Sequence, residues 1–211
     1  MRNFILLLVI ALATTNAIAQ KAPDRFYYKD GSRVEGLLAF IEYGDRYENK
    51  TQGHWAVSYR PSKKTKKSDK KIFTTRDICC FVIGADSFSI IKDVKPYGLF
   101  TVTAEQDFAK VLEAGKINLY KYKSVMHGAS GNPMTGMHQT SRAVEEYVIE
   151  KDGKSELVNE MQFQKQMEGY IGDYPALMDR IRKGQLDYRR AKDDTQVIIK
   201  FYNDWAKMVP R

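Results

Sequence analysis

The chain has 211 residues, a formal net charge of +8, 43% hydrophobic residues and 12% aromatic residues. That apolar content excludes wholesale disorder, and two cysteines in the whole chain exclude a disulfide scaffold. The length allows one domain or two small ones, burying roughly 70% of the unfolded surface, so a core needs no cross-links.

The N-terminus reads as a cleavable secretory signal. Arg2 gives the positive start, Phe4–Ala13 an apolar run, and Ala17-Ile18-Ala19 a small-x-small cleavage site. A permanent membrane helix needs about 20 apolar residues, which this run does not reach. Residues 1–19 are expected to be removed, leaving Gln20 as the first mature residue and a net charge of +7. No cysteine lies near the cut, which argues against a lipid anchor there. The expected compartment is the periplasm or the exterior, with no transmembrane segment after cleavage.

From Phe26 the pattern is β. Phe26-Tyr27-Tyr28 and Val34–Ile41 flank Asp30-Gly31, a hairpin signal. Residues 43–53 read as loop, His54–Tyr59 as an alternating strand, and Lys71–Val94 as two or three strands with a turn at Gly84-Ala85-Asp86. Phe100–Thr103 is a further candidate strand. Phe108–Leu112 and Ile117–Tyr122 read as a hairpin across Glu113–Lys116, the first run also fitting helix spacing. Residues 124–142, rich in Gly, Ser, Met and His, read as a loop. Val144–Ile149 and Glu156–Val158 flank a second Asp-Gly turn, Asp152-Gly153.

After Asn159 the period changes. Phe163, Met167, Tyr170 and Ile171 form a helical stripe. Asp173 is expected to cap a short helix with Pro175 in its first turn and Gly184 as its stop. Asp193 or Asp194 is expected to cap a third helix, with Val197, Ile198, Phe201, Trp205 and Met208 as its apolar stripe and Pro210 at its end. The expected fold class is α+β: about eight short, mostly antiparallel strands followed by three short C-terminal helices. Residues 1–19 are the signal, 20–159 a β-rich region, and 160–211 a helical region packed on it, together forming one domain.

Several segments resemble exported proteins of Bacteroidota without an established activity: Tyr27-Tyr28-Lys-Asp-Gly with Glu35-Gly36, Phe81-Val-Ile-Gly84, Phe108-Ala-Lys-Val-Leu112, Gly115-Lys-Ile-Asn-Leu-Tyr120, Asp173-Tyr-Pro-Ala-Leu177 and Tyr202-Asn203. The resemblance implies a Gram-negative periplasm or cell surface. It implies no active site.

Two segments carry candidate chemistry. Met126, His127, Met134, Met137 and His138 put three thioethers and two imidazoles within thirteen residues, a ligand set suited to Cu(I). The alternative is a plain connector. Lys63, Lys64, Lys66, Lys67, Lys70 and Lys71, with Arg60 upstream, form a basic run suited to lipid headgroups, lipopolysaccharide or a polyanionic glycan, or to a solvated hairpin loop. No aromatics interleave with these lysines, so single-stranded nucleic acid is not an expected partner.

Gly-x-Ser-x-Gly, His-Glu-x-x-His and Cys-x-x-Cys do not occur. Cys79 and Cys80 read as small buried hydrophobes pointing to opposite faces of a strand. His54 reads as structural. Glu35, Glu42, Glu145, Glu146 and Glu150 offer carboxylates, but sequence singles out no pair. Phe201, Tyr202 and Trp205 read as core rather than as a docking surface. The expected function is a non-enzymatic interaction or structural module of the cell envelope, with an unidentified envelope protein or an anionic surface as its partner. A periplasmic copper binder using the Met/His loop and a hydrolase with a cryptic site are the alternatives.

Overall fold

The computed structural model describes residues 23–42, 55–94, 105–130, 138–186 and 192–209. Residues 1–19, expected to form a signal, His54, the candidate strand Phe100–Thr103 and Pro210 lie outside them. Eleven strands are described: β1 Arg25–Tyr28, β2 Arg33–Glu35, β3 Leu37–Glu42, β4 Trp55–Arg60, β5 Lys71–Phe73, β6 Ile78–Ile83, β7 Asp86–Lys92, β8 Gln106–Glu113, β9 Asn118–Ser130, β10 His138–Lys151 and β11 Lys154–Leu157. Three helices follow: α1 Phe163–Ile171, α2 Pro175–Arg182 and α3 Lys192–Met208. The chain is α+β, with strands first and helices last. The count exceeds the expected eight partly because β2 and β5 are three residues each, too short for an alternation to show.

The strands form two antiparallel sheets. The large one has the order β11-β10-β9-β8-β7-β6-β1-β2, and the small one β3-β4-β5. The Asp152-Gly153 turn folds as expected. Both residues take positive φ, 53° and 76°, between the paired Lys151 and Lys154, the type I′ geometry that matches strand twist.

Register decides which side chains meet. Phe26 pairs with Phe81, Phe81 with Phe88, and Ile90 with Phe108. Since strand side chains alternate, these phenylalanines share one face of the large sheet. The inner face of the small sheet presents Leu38, Phe40, Trp55, Val57, Tyr59 and Phe73, and the two sets interlock. Phe81 stacks on Phe88 at 4.6 Å, Phe40 stacks on Phe88 at 5.1 Å, and Phe108 meets Phe81 edge to face. The opposite face of the large sheet curls inward until β11 touches β7. It encloses a second interior of Ile91, Ala109, Tyr120, Tyr122, Val148 and Leu157.

The helices cover the remainder of the first face. Ile117, Leu119, Tyr147 and Ile149 pack against Phe163, Met167, Ile171, Leu177, Met178 and Ile181 and against Ile198, Ile199 and Tyr202 of α3. The small sheet and the helical layer thus sit side by side on the same face.

Two helix expectations are corrected. Tyr174, not Asp173, is the N-cap residue of α2, and no side chain caps it. The Asp173 carboxylate instead accepts the Tyr202 hydroxyl at 3.0 Å and pairs with Lys116 at 3.3 Å, joining α3 to the β8–β9 turn. Asp193 and Asp194 lie inside α3, which begins at Lys192. The buried face of α3 is Thr195, Ile198, Ile199, Tyr202 and Asn203, while Val197, Phe201 and Met208 are 38%, 46% and 74% exposed. Trp205 is half-buried and stacks on Tyr174 at 4.6 Å.

Polarity misled the stripe because Asn203 faces inward for a reason of its own. Its Oδ1 accepts the Ile117 N–H at 2.9 Å and its Nδ2 donates to the Ile117 carbonyl at 2.8 Å. The side chain thereby satisfies a buried peptide unit that has left the ladder. Gly115 makes room for it, since a Cβ there would lie 2.5 Å from Asn203 Cγ.

Candidate functional site

Three of the five expected metal ligands fall on paired strands. Met126 and His127 fall in β9 and His138 opens β10, while Met134 and Met137 lie outside the described residues. Segment 124–142 is therefore not the loop its composition implied, because most of it is paired strand. His127 pairs with Ser141 and His138 with Ser130, so the two histidine positions are three ladder steps apart, about 10 Å of strand. Among the described residues no group of three or more His, Cys, Asp or Glu is placed to hold a metal.

The basic run is displayed as a unit. Arg60 ends β4, Lys71 opens β5, and Lys67–Asp69 form a 3-10 turn between them. Lys63, Lys64, Lys66, Lys70 and Lys71 are all exposed. Seven basic residues and a single acid, Asp69, lie between Arg60 and Lys71.

The cysteines do not point to opposite faces. The β1–β6 register slips between Tyr27 and Tyr28, leaving Cys79 as the extra residue of a β-bulge. The bulge turns Cys79 toward its neighbour, and the two Sγ atoms lie 3.4 Å apart. The Cys79 thiol reaches the Tyr27 and Tyr28 carbonyls at 3.5 Å. Burial, with the Cys79 thiol beside it, pushes the Cys80 thiol up to about 12, so it stays protonated and unreactive at neutral pH.

Between the small sheet and the helical layer, the face they share is left open as a cleft of about 230 Å³ lined by Phe40, Phe88, Phe108, Lys110, Lys121 and Lys123, with Asp86 and Glu145 at its sides. Lys110 and Lys121 are direct cross-strand partners. Lys110 pairs with Asp86 at 2.7 Å and Lys121 with Glu145 at 2.6 Å, their side chains 36% to 48% exposed. The Trp55 indole N–H donates to the Lys123 carbonyl at 2.6 Å and pins the small sheet to the rim. Of the glutamates considered from sequence, Glu145 lines this cleft. Glu35 pairs with Arg33 at the surface, and Glu150 accepts from Asn118, Tyr120 and Ser155. Glu42 ends β3.

Glu146 occupies the curled interior, a surrounding that sequence could not give it. Its cross-strand partner is Tyr122, whose hydroxyl donates to the buried Asp107 carboxylate at 3.1 Å. Asp107 also accepts the Trp55 and Phe108 backbone N–H groups, and sequence had passed over it. Burial, then the Asp107 charge, pushes the Tyr122 phenol well above its ordinary range. Glu146 Oε2 and Ser124 Oγ are both buried, and the Ser124 hydroxyl lowers the carboxyl somewhat against the larger effect of burial. Burial raises the Glu146 carboxyl above its ordinary value of 4.5.

The sign of the consequence follows. Below the unfolded value Glu146 is neutral in both states and costs nothing. As pH rises through the raised folded value, the native state must hold an ionised carboxylate where the neutral form is favoured, and stability falls. The Glu146→Gln variant is therefore expected to melt higher than the parent at pH 7.5, by a margin that partial solvent exposure keeps small. The gap should close by about pH 4, as followed by thermal melts across pH. A gap independent of pH would assign the effect to packing instead.

No helix among the described residues is long and apolar enough to cross a membrane. No family model, curated protein or solved structure matches the chain.

Proposed function

We propose that the protein is an exported, non-enzymatic interaction module of the cell envelope that seats its lysine-rich β4–β5 hairpin on an anionic surface. The observation that carries this reading is the exposure of Lys63, Lys64, Lys66, Lys70 and Lys71 together on one short connection. Near a negatively charged leaflet each basic residue contributes about 1 kcal/mol, falling off within a Debye length. Five together suffice for a salt-sensitive attachment, and a net charge of +7 on the mature chain adds long-range attraction. The signal sequence supports delivery to that compartment.

Vesicle co-sedimentation tests the reading. The purified protein is expected to bind phosphatidylglycerol vesicles, to ignore phosphatidylcholine vesicles, and to release as salt rises. Changing all five exposed lysines to Gln is expected to weaken binding more than about 100-fold while leaving Tm unchanged, since these side chains lie in solvent. Equal binding to neutral vesicles, or an unaffected five-site variant, overturns the proposal. Protein recovered from cells should begin at Gln20, and an intact Met1 would remove the export premise.

A further inference from the structure

We propose that the cleft between the small sheet and the helical layer is a binding site for a small monoanion carrying a flat ring, an aromatic carboxylate. Lys110 and Lys121 break a rule of sheet pairing. Opposite charges are the favoured cross-strand pairs, and like charges directly opposite each other destabilise. Yet Lys110 and Lys121 face one another across the two central strands of the cleft, and Lys123 follows two residues along on the same face. The compensating acids lie on the outer strands, Asp86 on β7 and Glu145 on β10. The row through this pair runs Phe88, Lys110, Lys121, Tyr147, while Asp86 and Glu145 stand two residues off it along their strands, Glu145 directly opposite Lys123. This placing concentrates positive charge at the centre of the cleft. An arrangement serving the sheet alone would alternate. Departures of this kind concentrate at functional sites.

The charges lining the cleft do not cancel. Two of the three ammonium groups are balanced by carboxylates. Lys123 makes no ion pair among the described residues, so the cleft holds one net positive charge. The two balanced pairs are exposed enough that water screens them, so neither is worth much to stability. Their exposed ammonium groups can still donate to an incoming carboxylate.

The floor of the cleft is aromatic. Phe40 and Phe88 stack at 5.1 Å and 25°, both are only partly buried, and Phe108 lies beside them. These rings offer an apolar wall for another ring, with offset or edge contact. The volume, about 230 Å³, is below the usual range of about 300–1,000 Å³ for drug-sized ligands, so the ligand is one or two rings, not a chain of them.

Calorimetric titration of the purified protein with 2-naphthoate tests this site, with acetate and neutral 2-naphthalenemethanol as controls. We expect saturable binding of 2-naphthoate at least about tenfold tighter than either control. Resonances of Phe88 and Phe108 should shift in step with the titration. Lys123→Met, which disturbs no ion pair, should weaken binding about tenfold and leave Tm unchanged. Affinities no better than the controls, shifts confined to other residues, or undiminished binding by Lys123→Met with its fold intact would each overturn the proposal. The vesicle experiment reads different lysines, so either result stands without the other.

Discussion

Asn203→Ala is expected to lower stability by about 3 kcal/mol, because it strips the partners from two buried backbone groups at once, the N–H and the carbonyl of Ile117. In a chain of this length that corresponds to roughly 10 °C in Tm. Gly115→Ala should act on the same contact from the other side, since its new methyl would stand 2.5 Å from Asn203 Cγ. The two changes are therefore coupled. In the Asn203→Ala background, Gly115→Ala should lose most of its effect, giving an interaction energy of about 1–2 kcal/mol in a double-mutant cycle. Additive losses in denaturant titration would show that the clamp is not the reason for the glycine.

The largest single loss is expected for Phe81→Ala, about 4 kcal/mol. Phe81 is fully buried and makes ring contacts with Phe88, Phe108 and Phe40. It is also the cross-strand partner of Phe26. Truncation opens a cavity where the two sheets meet, and the rings around it are too large to collapse into the space. Phe81→Leu should cost less than half as much, because most of the volume remains. The same substitution removes support from Phe40, Phe88 and Phe108, so Phe81→Ala should also abolish binding of 2-naphthoate. A loss under about 1 kcal/mol in guanidinium titrations would mean that the sandwich is held elsewhere.

The contrast between what could be read from the chain and what could not has a physical pattern. The Asp152-Gly153 turn was legible because its backbone conformation is nearly obligatory for that dipeptide between strands. The helical stripe Phe163, Met167 and Ile171 was legible because all three are apolar and all three are buried. The face of α3 was not, because Asn203 is buried to bond the Ile117 backbone and Thr195 is buried by its position alone, and a hydrophobicity pattern reads both with the wrong sign. The paired part of 124–142 was hidden by a composition typical of connectors, and cross-strand pairing overrides weak β propensity. The cysteine pair was misread because a single extra residue in β6 reverses the alternation, and bulges leave no trace in one sequence. The cleft could not be read at all, since Lys110 and Lys121 are neighbours only through the β8–β9 register and the adjacent irregularity at Val111 and Glu113. Gly115-Lys116-Ile117, Asp173-Tyr174 and Tyr202-Asn203, far apart in the chain, meet in one network in space.

The strand order also dictates an assembly sequence. From β6 to β11 each strand pairs with the next along the chain, so this meander closes only short loops and can zip from any of its turns. β1 has no such freedom. Its partner β6 begins at Ile78, some fifty residues after Arg25, and the small sheet must fold over the intervening distance for Phe26 to find Phe81. A chain emerging from its N-terminus therefore presents first the strand that can be placed last. Until β6 arrives, β1 has only the three-residue β2 beside it, and Phe26 lacks the Phe81 it packs against.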